Sequence, residues 1–250
     1  MTDTDAMTGA DGMTGTEGAG VPVRVLRVFA DADGRYGNPL GVVLDGARVP
    51  GPARQPLTAG LGYSETVFVD DPDSGRVQIF TPAAEISAPG HPLVGTAWLL
   101  GRERGTGVGV LRPVRLGEPV PRSAGPATGT VDLDPRSAPD WELVELEHPA
   151  AVDGARPPKP GEHWQRTMIW SWADRAAGTV RARTFAHAWG VEEDEACGSA
   201  AVRLAASLGR GLTVASGRGS VIGAALLANG RVRLEGRVVE ERTRTVAVAP

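Results

Sequence analysis

The sequence predicts an α+β fold built from two pseudo-symmetric halves, and two observations carry this prediction. Residues 80–100 and 185–208 share one pattern, in which a strand, an acidic residue and a glycine turn precede a helix of small residues. Each half also contains several short strand patterns around one central helix, which favours α+β over alternating strands and helices. With 250 residues, the chain can form two domains of about 110 to 120 residues each.

In the first half, short runs that alternate apolar and polar residues and end at turn residues predict four strands. The predicted strands are 21–30, 40–44, 66–70 and 76–81. The last two are joined by Asp71-Pro72-Asp73-Ser74-Gly75, in which every residue favours a turn. A helix is predicted with Pro92 at its first position, where no amide hydrogen is needed, and with 93–101 as its apolar body.

The second half repeats this order, with a Pro-rich loop over 149–161 and a helix over 200–208. Its predicted strands are 130–134, 143–147, 165–171, 179–186, 220–227, 231–235 and 243–248. Residues 117–129 are dense in Pro and Gly, which is typical of a crossing between domains. We therefore predict an N-terminal domain over 21–118 and a C-terminal domain over 119–250, whose last strand could return to the first domain.

Composition narrows the class of function. The formal net charge is −4 and the basic residues are spread out, so we expect a small-molecule partner rather than nucleic acid or a membrane surface. Cys197 is the only cysteine, which excludes an internal disulfide and a cysteine-based zinc site. Residues 1–20 resemble neither a signal nor a transit peptide and predict a disordered tail. We expect a soluble, cytoplasmic protein.

The two glycine turns predict an anion-binding site. When Gly90 is placed on Gly198, each half presents backbone amides at the start of a helix, and such helix ends bind anions. The amides of Gly198 and Ala200 and the hydroxyl of Ser199 could bind a carboxylate. A serine that caps its own helix would give the same pattern, so both interpretations of Ser199 stay open.

Two side chains near the first turn could carry proton chemistry. Glu65 stands at the start of an apolar strand, where exclusion of water would raise its pKa towards neutrality and suit it to general acid/base catalysis. The alternative is a solvated loop glutamate. His91 follows the first glycine and could relay a proton, or it could simply pack or cap the helix. The histidines show no spacing typical of metal ligands, so we predict no metal.

Cys197 precedes the second glycine and allows two interpretations. A thiol at a helix N-terminus has a lowered pKa and could act as a base or nucleophile. A two-thiol epimerase, however, needs a thiol on each face of the substrate carbon, and the matching residue in the first half is Pro89. A small buried residue is therefore the favoured interpretation. The neighbouring acids Glu192, Glu193 and Glu195 are explained by complementation of the helix dipole.

Several short fragments, taken together, carry a family resemblance that covers nearly everything after the tail. These fragments are Phe29 with Gly37-Asn38-Pro39, Ser64-Glu65-Thr66, Phe80-Thr81-Pro82 with Glu85, Gly90-His91-Pro92 with Gly95 and Ala97, Arg183-Thr184-Phe185, and Glu193-Asp194 with Gly198-Ser199-Ala200. Their order and spacing resemble the PhzF-like isomerases of phenazine biosynthesis, relatives of diaminopimelate epimerase.

The resemblance implies two diaminopimelate epimerase-like domains, each a barrel-like sheet around a central helix, with the site in the cleft between them. It implies a cofactor-free proton shift in which Glu65 is the general acid/base. His91, Asp194 and Ser199 would line the pocket, and Gly198 would shape the anion turn. The best-known substrate of the family is trans-2,3-dihydro-3-hydroxyanthranilate, a small carboxylate. The resemblance also suggests a homodimer.

The chain departs from the family pattern at two positions. Cys197 stands where a threonine is common, and Pro56 interrupts residues 53–61, where the family has a helix; we expect this helix to be shortened. Two other functions remain as alternatives. One is an amino-acid epimerase or racemase that uses Cys197 opposite Glu65 or His91. The other is a non-catalytic protein that binds small carboxylates.

Overall fold

The computed structural model describes residues 20–87, 89–105 and 108–248 of the chain. The predicted tail therefore lies outside the described residues, except for Gly20. The α-helices are α1 (Gly51–Leu61), α2 (Gly90–Arg104), α3 (Pro149–Gly154) and α4 (Gly198–Leu208). The strands are β1 (Val21–Ala30), β2 (Asn38–Val43), β3 (Glu65–Asp71), β4 (Arg76–Phe80), β5 (Glu85–Ile86), β6 (Val108–Pro113), β7 (Val120–Ala124), β8 (Thr128–Leu133), β9 (Glu142–Glu145), β10 (Thr167–Asp174), β11 (Thr179–Ala186), β12 (Val191–Asp194), β13 (Leu212–Ser216), β14 (Ser220–Leu226) and β15 (Val232–Val246).

The first half is a closed barrel around α2. Its eight strands follow the order β1, β2, β3, β4, β6, β7, β8 and β15, and pairing of β15 with β1 closes the ring. Every residue of α2 from Gly90 to Leu100 is buried. A helix that is apolar on all sides is stable only when it is surrounded by protein, and this barrel provides those surroundings.

The second half is a sheet that continues from β15 through β14, β13, β11, β10 and β9, with β12 paired to β11. Helix α4 packs against β14 and β15 and buries one side of its surface there. Each half is thus a sheet with one central helix, and the predicted α+β fold class is confirmed. None of the helices in the described ranges is long and apolar enough to cross a membrane.

Strand β15 joins the two halves. Its first part lies between β8 and β14, and its later part, from Arg237 to Val246, pairs with β1. The sequence predicts two separate strands here, over 231–235 and 243–248, and this detail is wrong: one strand passes through Gly236. A side chain at Gly236 would lie 2.2 Å from the Phe29 ring, so this glycine permits close packing and does not end the strand.

The boundary predicted between residues 118 and 119 falls in the connection between β6 and β7. These strands are hydrogen-bonded neighbours, and β7 in turn pairs with β8. The sheet of the first half therefore continues to Leu133. The boundary itself stays a prediction.

Helix α1 spans eleven residues with Pro56 inside it, so the expected shortening is wrong. Proline removes the one backbone hydrogen bond that its amide would donate to the preceding turn. Tertiary contacts outweigh that loss: Arg54 is buried, forms an ion pair with Asp70 at 2.6 Å, and donates hydrogen bonds to the carbonyl oxygens of Val49 and Gly46. The predicted Pro-rich loop over 149–161 likewise begins with a short helix, α3.

Candidate active site

The N-termini of α2 and α4 meet at the centre of the molecule. Gly90 and Gly198 are the first residues of these helices, and a Cβ atom on Gly90 would lie only 2.9 Å from the Cα atom of Gly198. The Leu234 side chain packs against both glycines. Only residues without a side chain allow this approach, and it brings the positive ends of both helix dipoles to one place.

The structure brings Glu65 and His91 together beside this junction. Glu65 is the first residue of β3 and His91 is the second residue of α2, and both side chains are mostly buried. The Glu65 Oε2 atom lies 2.9 Å from the His91 Nε2 atom. The Ser64 hydroxyl, which donates a hydrogen bond to the Pro39 carbonyl oxygen, is 3.4 Å from the same nitrogen.

The two groups shift each other's pKa. Burial raises the pKa of Glu65, but the positive charge of His91 and hydrogen bonds from His91 and Ser64 outweigh burial and leave the pKa below its ordinary value. Burial lowers the pKa of His91, while the charges of Glu65 and Asp194 raise it above its ordinary value. Both shifts favour the charged form of the pair, a carboxylate beside an imidazolium. This differs from the sequence expectation, which considered burial of Glu65 without a cationic partner.

Asn38, at the start of β2, connects this pair to the second half. Its Nδ2 atom donates to the Asp194 Oδ1 atom at 2.7 Å and to the Ala196 carbonyl oxygen at 3.2 Å, and it lies 3.5 Å from the His91 Nδ1 atom. Asp194 also accepts a hydrogen bond from the Ala196 amide at 3.1 Å. Asn38 is a site residue beyond those predicted from the sequence, and its signal there is the Gly-Asn-Pro fragment that contains it.

Ser199 is the second residue of α4, so it does not cap the helix; the residue at the N-cap is Cys197. The Ser199 hydroxyl instead accepts a hydrogen bond from the indole nitrogen of Trp141 at 3.0 Å and lies 3.6 Å from the Cys197 Sγ atom. Nothing in the sequence signalled Trp141, which precedes β9 and reaches Ser199 only through the fold. Ala200 is fully buried and can offer a ligand only its amide.

The Cys197 thiol is buried, and its pKa is raised well above the ordinary value by burial and by the nearby charge of Asp194. At neutral pH it is therefore protonated, which opposes its use as a base. This environment agrees with the favoured interpretation of Cys197 as a small buried residue and gives no support to a thiol-based epimerase.

The acids next to Asp194 have their own partners. Glu193 forms an ion pair with Arg183 at 2.7 Å. Glu195 accepts hydrogen bonds from the Arg218 amide at 3.0 Å and from the Ser220 hydroxyl at 2.8 Å. These contacts, rather than a helix dipole, account for both residues. The described ranges contain no cluster of three or more His, Cys, Asp or Glu side chains that could hold a metal ion.

The chain has a diaminopimelate epimerase-like fold, in which each half wraps its part of the sheet around one helix and a buried carboxylate–histidine pair lies where the helix ends meet. Solved structures show the same fold. A PhzF family protein of Bacillus anthracis superimposes with a TM-score of 0.74 at 18% identity, covering 92% of this chain and 99% of that one. A structure described as a predicted epimerase of Pseudomonas aeruginosa gives a TM-score of 0.71 at 22% identity, with coverage of 92% and 100%.

Sequence comparison finds similarity to the same family. Residues 26–115 match the family model PhzC-PhzF, described as phenazine biosynthesis-like protein. An uncharacterised isomerase of Mesorhizobium japonicum is 36% identical over 146 residues, which cover 54% of this chain and about half (48%) of that protein. The trans-2,3-dihydro-3-hydroxyanthranilate isomerase of P. aeruginosa is 29% identical over 227 residues, covering 74% and 79%. In sequence and in fold the chain is therefore similar to the PhzF-like isomerases, as the sequence fragments indicated.

Proposed function

We propose that this protein is a cofactor-independent isomerase that shifts a proton within a small carboxylated substrate, with Glu65 as the general acid/base. The buried Glu65–His91 pair is the observation that carries the proposal. The Glu65 Oε2 atom lies 2.9 Å from the His91 Nε2 atom, and the charge of His91 keeps the buried carboxyl group deprotonated. A carboxylate oxygen in that state can accept a proton from a substrate.

The charges of the pair set the direction of the first step. Because the pKa of Glu65 lies below its ordinary value, the side chain is a carboxylate at neutral pH and acts first as a base. It removes a proton from an sp³ carbon next to an unsaturated system and returns the proton to another carbon. General acid/base catalysis of this kind contributes about 10² to 10⁴ in rate.

The helix junction supports a carboxylated substrate. The amides of Gly198 and Ala200 lie in the first turn of α4, and the Ser199 hydroxyl stands beside them. Amides in the first turn of a helix favour negative charge. The relative in P. aeruginosa is named for trans-2,3-dihydro-3-hydroxyanthranilate, and we propose a substrate of that chemical class, with a role in secondary-metabolite biosynthesis. A homodimer is part of the same proposal.

Proton exchange with solvent tests the function. The wild-type protein and the variant Glu65→Gln are incubated with trans-2,3-dihydro-3-hydroxyanthranilate and related carboxylates in D₂O, and isomerisation and deuterium incorporation are followed by NMR. Glu65→Gln keeps the shape of the side chain but cannot take up the proton, so we expect at least a ~10²-fold loss of rate. The matched control is Glu192→Gln, because Glu192 is exposed on β12, and we expect it to keep wild-type activity.

Two outcomes would contradict the proposal. Undiminished isomerisation by Glu65→Gln would remove Glu65 from the chemistry. Binding of the carboxylates by the wild-type protein with neither isomerisation nor deuterium incorporation would instead indicate a non-catalytic carboxylate-binding protein.

A further inference from the structure

A buried tryptophan contacts the serine at the start of α4. We propose that Trp141 is a positioning residue, which fixes the Ser199 hydroxyl as a hydrogen-bond donor towards the substrate carboxylate. This inference rests on the proposed function, because it assumes that a carboxylate binds at the N-terminus of α4. Trp141 lies outside both glycine turns, in the segment between β8 and β9, and would be a further residue of the carboxylate site.

The donor and acceptor chemistry of the two side chains determines the direction of their hydrogen bond. An indole nitrogen can only donate, whereas a serine hydroxyl can donate one hydrogen bond and accept two. The Trp141 Nε1 atom lies 3.0 Å from the Ser199 Oγ atom, so Ser199 must be the acceptor. The hydroxyl proton of Ser199 therefore points away from Trp141 and needs an acceptor elsewhere.

The protein offers that proton only a weak acceptor. In the part of the chain that the structure describes, the other polar side-chain atom within reach of Ser199 Oγ is the Cys197 Sγ atom, at 3.6 Å. The Cys197 thiol stays protonated because burial raises its pKa, and a thiol sulfur accepts hydrogen bonds weakly. A carboxylate bound at the first turn of α4 is a much stronger acceptor and would take the Ser199 proton.

Packing holds the indole in place relative to α4. Trp141 is 7% exposed, and its ring meets the Trp189 ring edge-on, with 4.9 Å between the ring centroids. The preceding residue, Asp140, forms an ion pair with Arg203 of α4 at 3.0 Å. The segment that carries Trp141 is thus attached to α4 at two residues, Ser199 and Arg203. A donor fixed in this way orients the serine before the substrate arrives, which reduces the entropy lost on binding.

Binding measurements on two probes test the proposal. The first probe is 3-hydroxyanthranilate, an aromatic carboxylate that resembles the substrate named for the P. aeruginosa relative. The second is 2-aminophenol, which is the same molecule without the carboxylate. Dissociation constants are measured by titration calorimetry for the wild-type protein, Trp141→Phe, Ser199→Ala and the double variant. Trp172→Phe is the matched control, because Trp172 lies on β10 and contacts Arg175 and Arg210.

We expect Ser199→Ala to weaken binding of 3-hydroxyanthranilate by about 10- to 100-fold, since it removes a hydrogen bond to a charged group. Trp141→Phe keeps an aromatic ring but removes the N–H donor, and we expect a loss of about 3- to 10-fold. In the Ser199→Ala background Trp141→Phe should have no further effect, because it acts through the serine. Binding of 2-aminophenol should not change with either substitution, and Trp172→Phe should leave both constants unchanged.

An equal loss caused by Trp141→Phe in both backgrounds, or an equal loss for both probes, would overturn the proposal and reduce Trp141 to a packing residue. A wild-type protein that does not bind 3-hydroxyanthranilate would also overturn it. If Trp141→Phe does not fold, β-(3-benzothienyl)alanine at position 141 keeps the bicyclic shape without the N–H group. The same double-mutant cycle with Ser199→Ala can then be measured with that residue. The dissociation constants are measured without turnover. Undiminished isomerisation by Glu65→Gln would therefore contradict the proposed function without changing the result of this binding experiment.

Discussion

At the scale of single residues, the pairing of Glu65 with His91 determines what the carboxylate can do. A carboxylate buried alone would have a raised pKa and would serve best as an acid. The histidine at 2.9 Å reverses that shift, so the pKa of Glu65 falls below its ordinary value of 4.5. The neighbour that makes Glu65 a base is therefore His91, which stands in a different sequence fragment, Gly90-His91-Pro92, at the start of α2.

Substitution of His91 should move the pH dependence of the reaction. In the wild-type protein the acid limb of kcat/KM should lie below pH 4.5, because kcat/KM reports the pKa of the free enzyme. His91→Asn removes the positive charge but leaves Glu65 buried, so its pKa should rise and the acid limb should move above pH 4.5. Ser64→Ala removes only a weaker hydrogen bond and should give a smaller shift in the same direction. An unchanged acid limb in His91→Asn would show that His91 does not set the pKa.

The same pair allows a measurement without substrate. Stabilisation by Glu65, whose pKa is lowered, is full above pH 4.5 and is lost as the pH falls through its folded value. Stabilisation by His91, whose pKa is raised, is full below pH 6.5 and is lost as the pH rises through its folded value. The difference in unfolding free energy between wild type and His91→Asn should therefore be larger at pH 5.5 than at pH 9.

At the scale of elements, the glycines at the helix ends set how closely α2 and α4 approach. We expect Gly90→Ala to destabilise the protein by about 1 to 3 kcal/mol, because its new methyl group would lie only 2.9 Å from the backbone Cα atom of Gly198. It should also lower activity by displacing His91. Urea unfolding measures the first effect and steady-state kinetics the second.

The control for this substitution is Gly60→Ala. Gly60 is exposed in α1, and a Cβ atom there meets nothing within 4 Å. Alanine should therefore stabilise the helix by about 0.5 to 1 kcal/mol through its better helix propensity. Equal stability of Gly90→Ala and wild type would show that the two helix ends can separate without cost.

The elements that the sequence predicts well are those with a strong local pattern. Strand β11 has the predicted bounds, 179–186, and α4 starts two residues before its predicted start. Strand β7 was not predicted, because it lies in the stretch 117–129, where Pro and Gly indicate a loop. Its strand conformation results from pairing with β6 and β8 on either side. Such pairing is a property of the tertiary fold and has no local signal in the sequence.

At the scale of the whole molecule, the site also combines residues that have a local sequence signal with residues that only the tertiary fold brings in. The glycine turns, Glu65 and His91 could be selected from the sequence because family fragments mark them, and the topology then brings them together. Trp141 could not be selected, since its contact with Ser199 spans 58 residues and depends on the packing of the segment before β9 against α4. The residues proposed for proton transfer are therefore legible in the sequence, whereas the residue proposed to position Ser199 is not.

Strand β15 closes the barrel of the first half, and we expect the barrel to depend on it. Residues 237–246 pair with β1 along its whole length, from Val21 to Ala30. Removal of residues 238–250 would leave an open edge on β1 and expose the apolar side chains of the barrel interior, including α2. We expect this shortened chain to lose its cooperative unfolding transition, and the amides of α2 to exchange rapidly with solvent in hydrogen–deuterium exchange.

The matched control is removal of residues 247–250 only. This deletion leaves every β1–β15 pair in place, and we expect it to cost at most about 1 kcal/mol, since Val248 is only partly buried. The pair of deletions separates closure of the ring from simple shortening of the chain. Cooperative unfolding at the wild-type midpoint after removal of 238–250, with α2 still protected, would show that the first seven strands hold the central helix without β15.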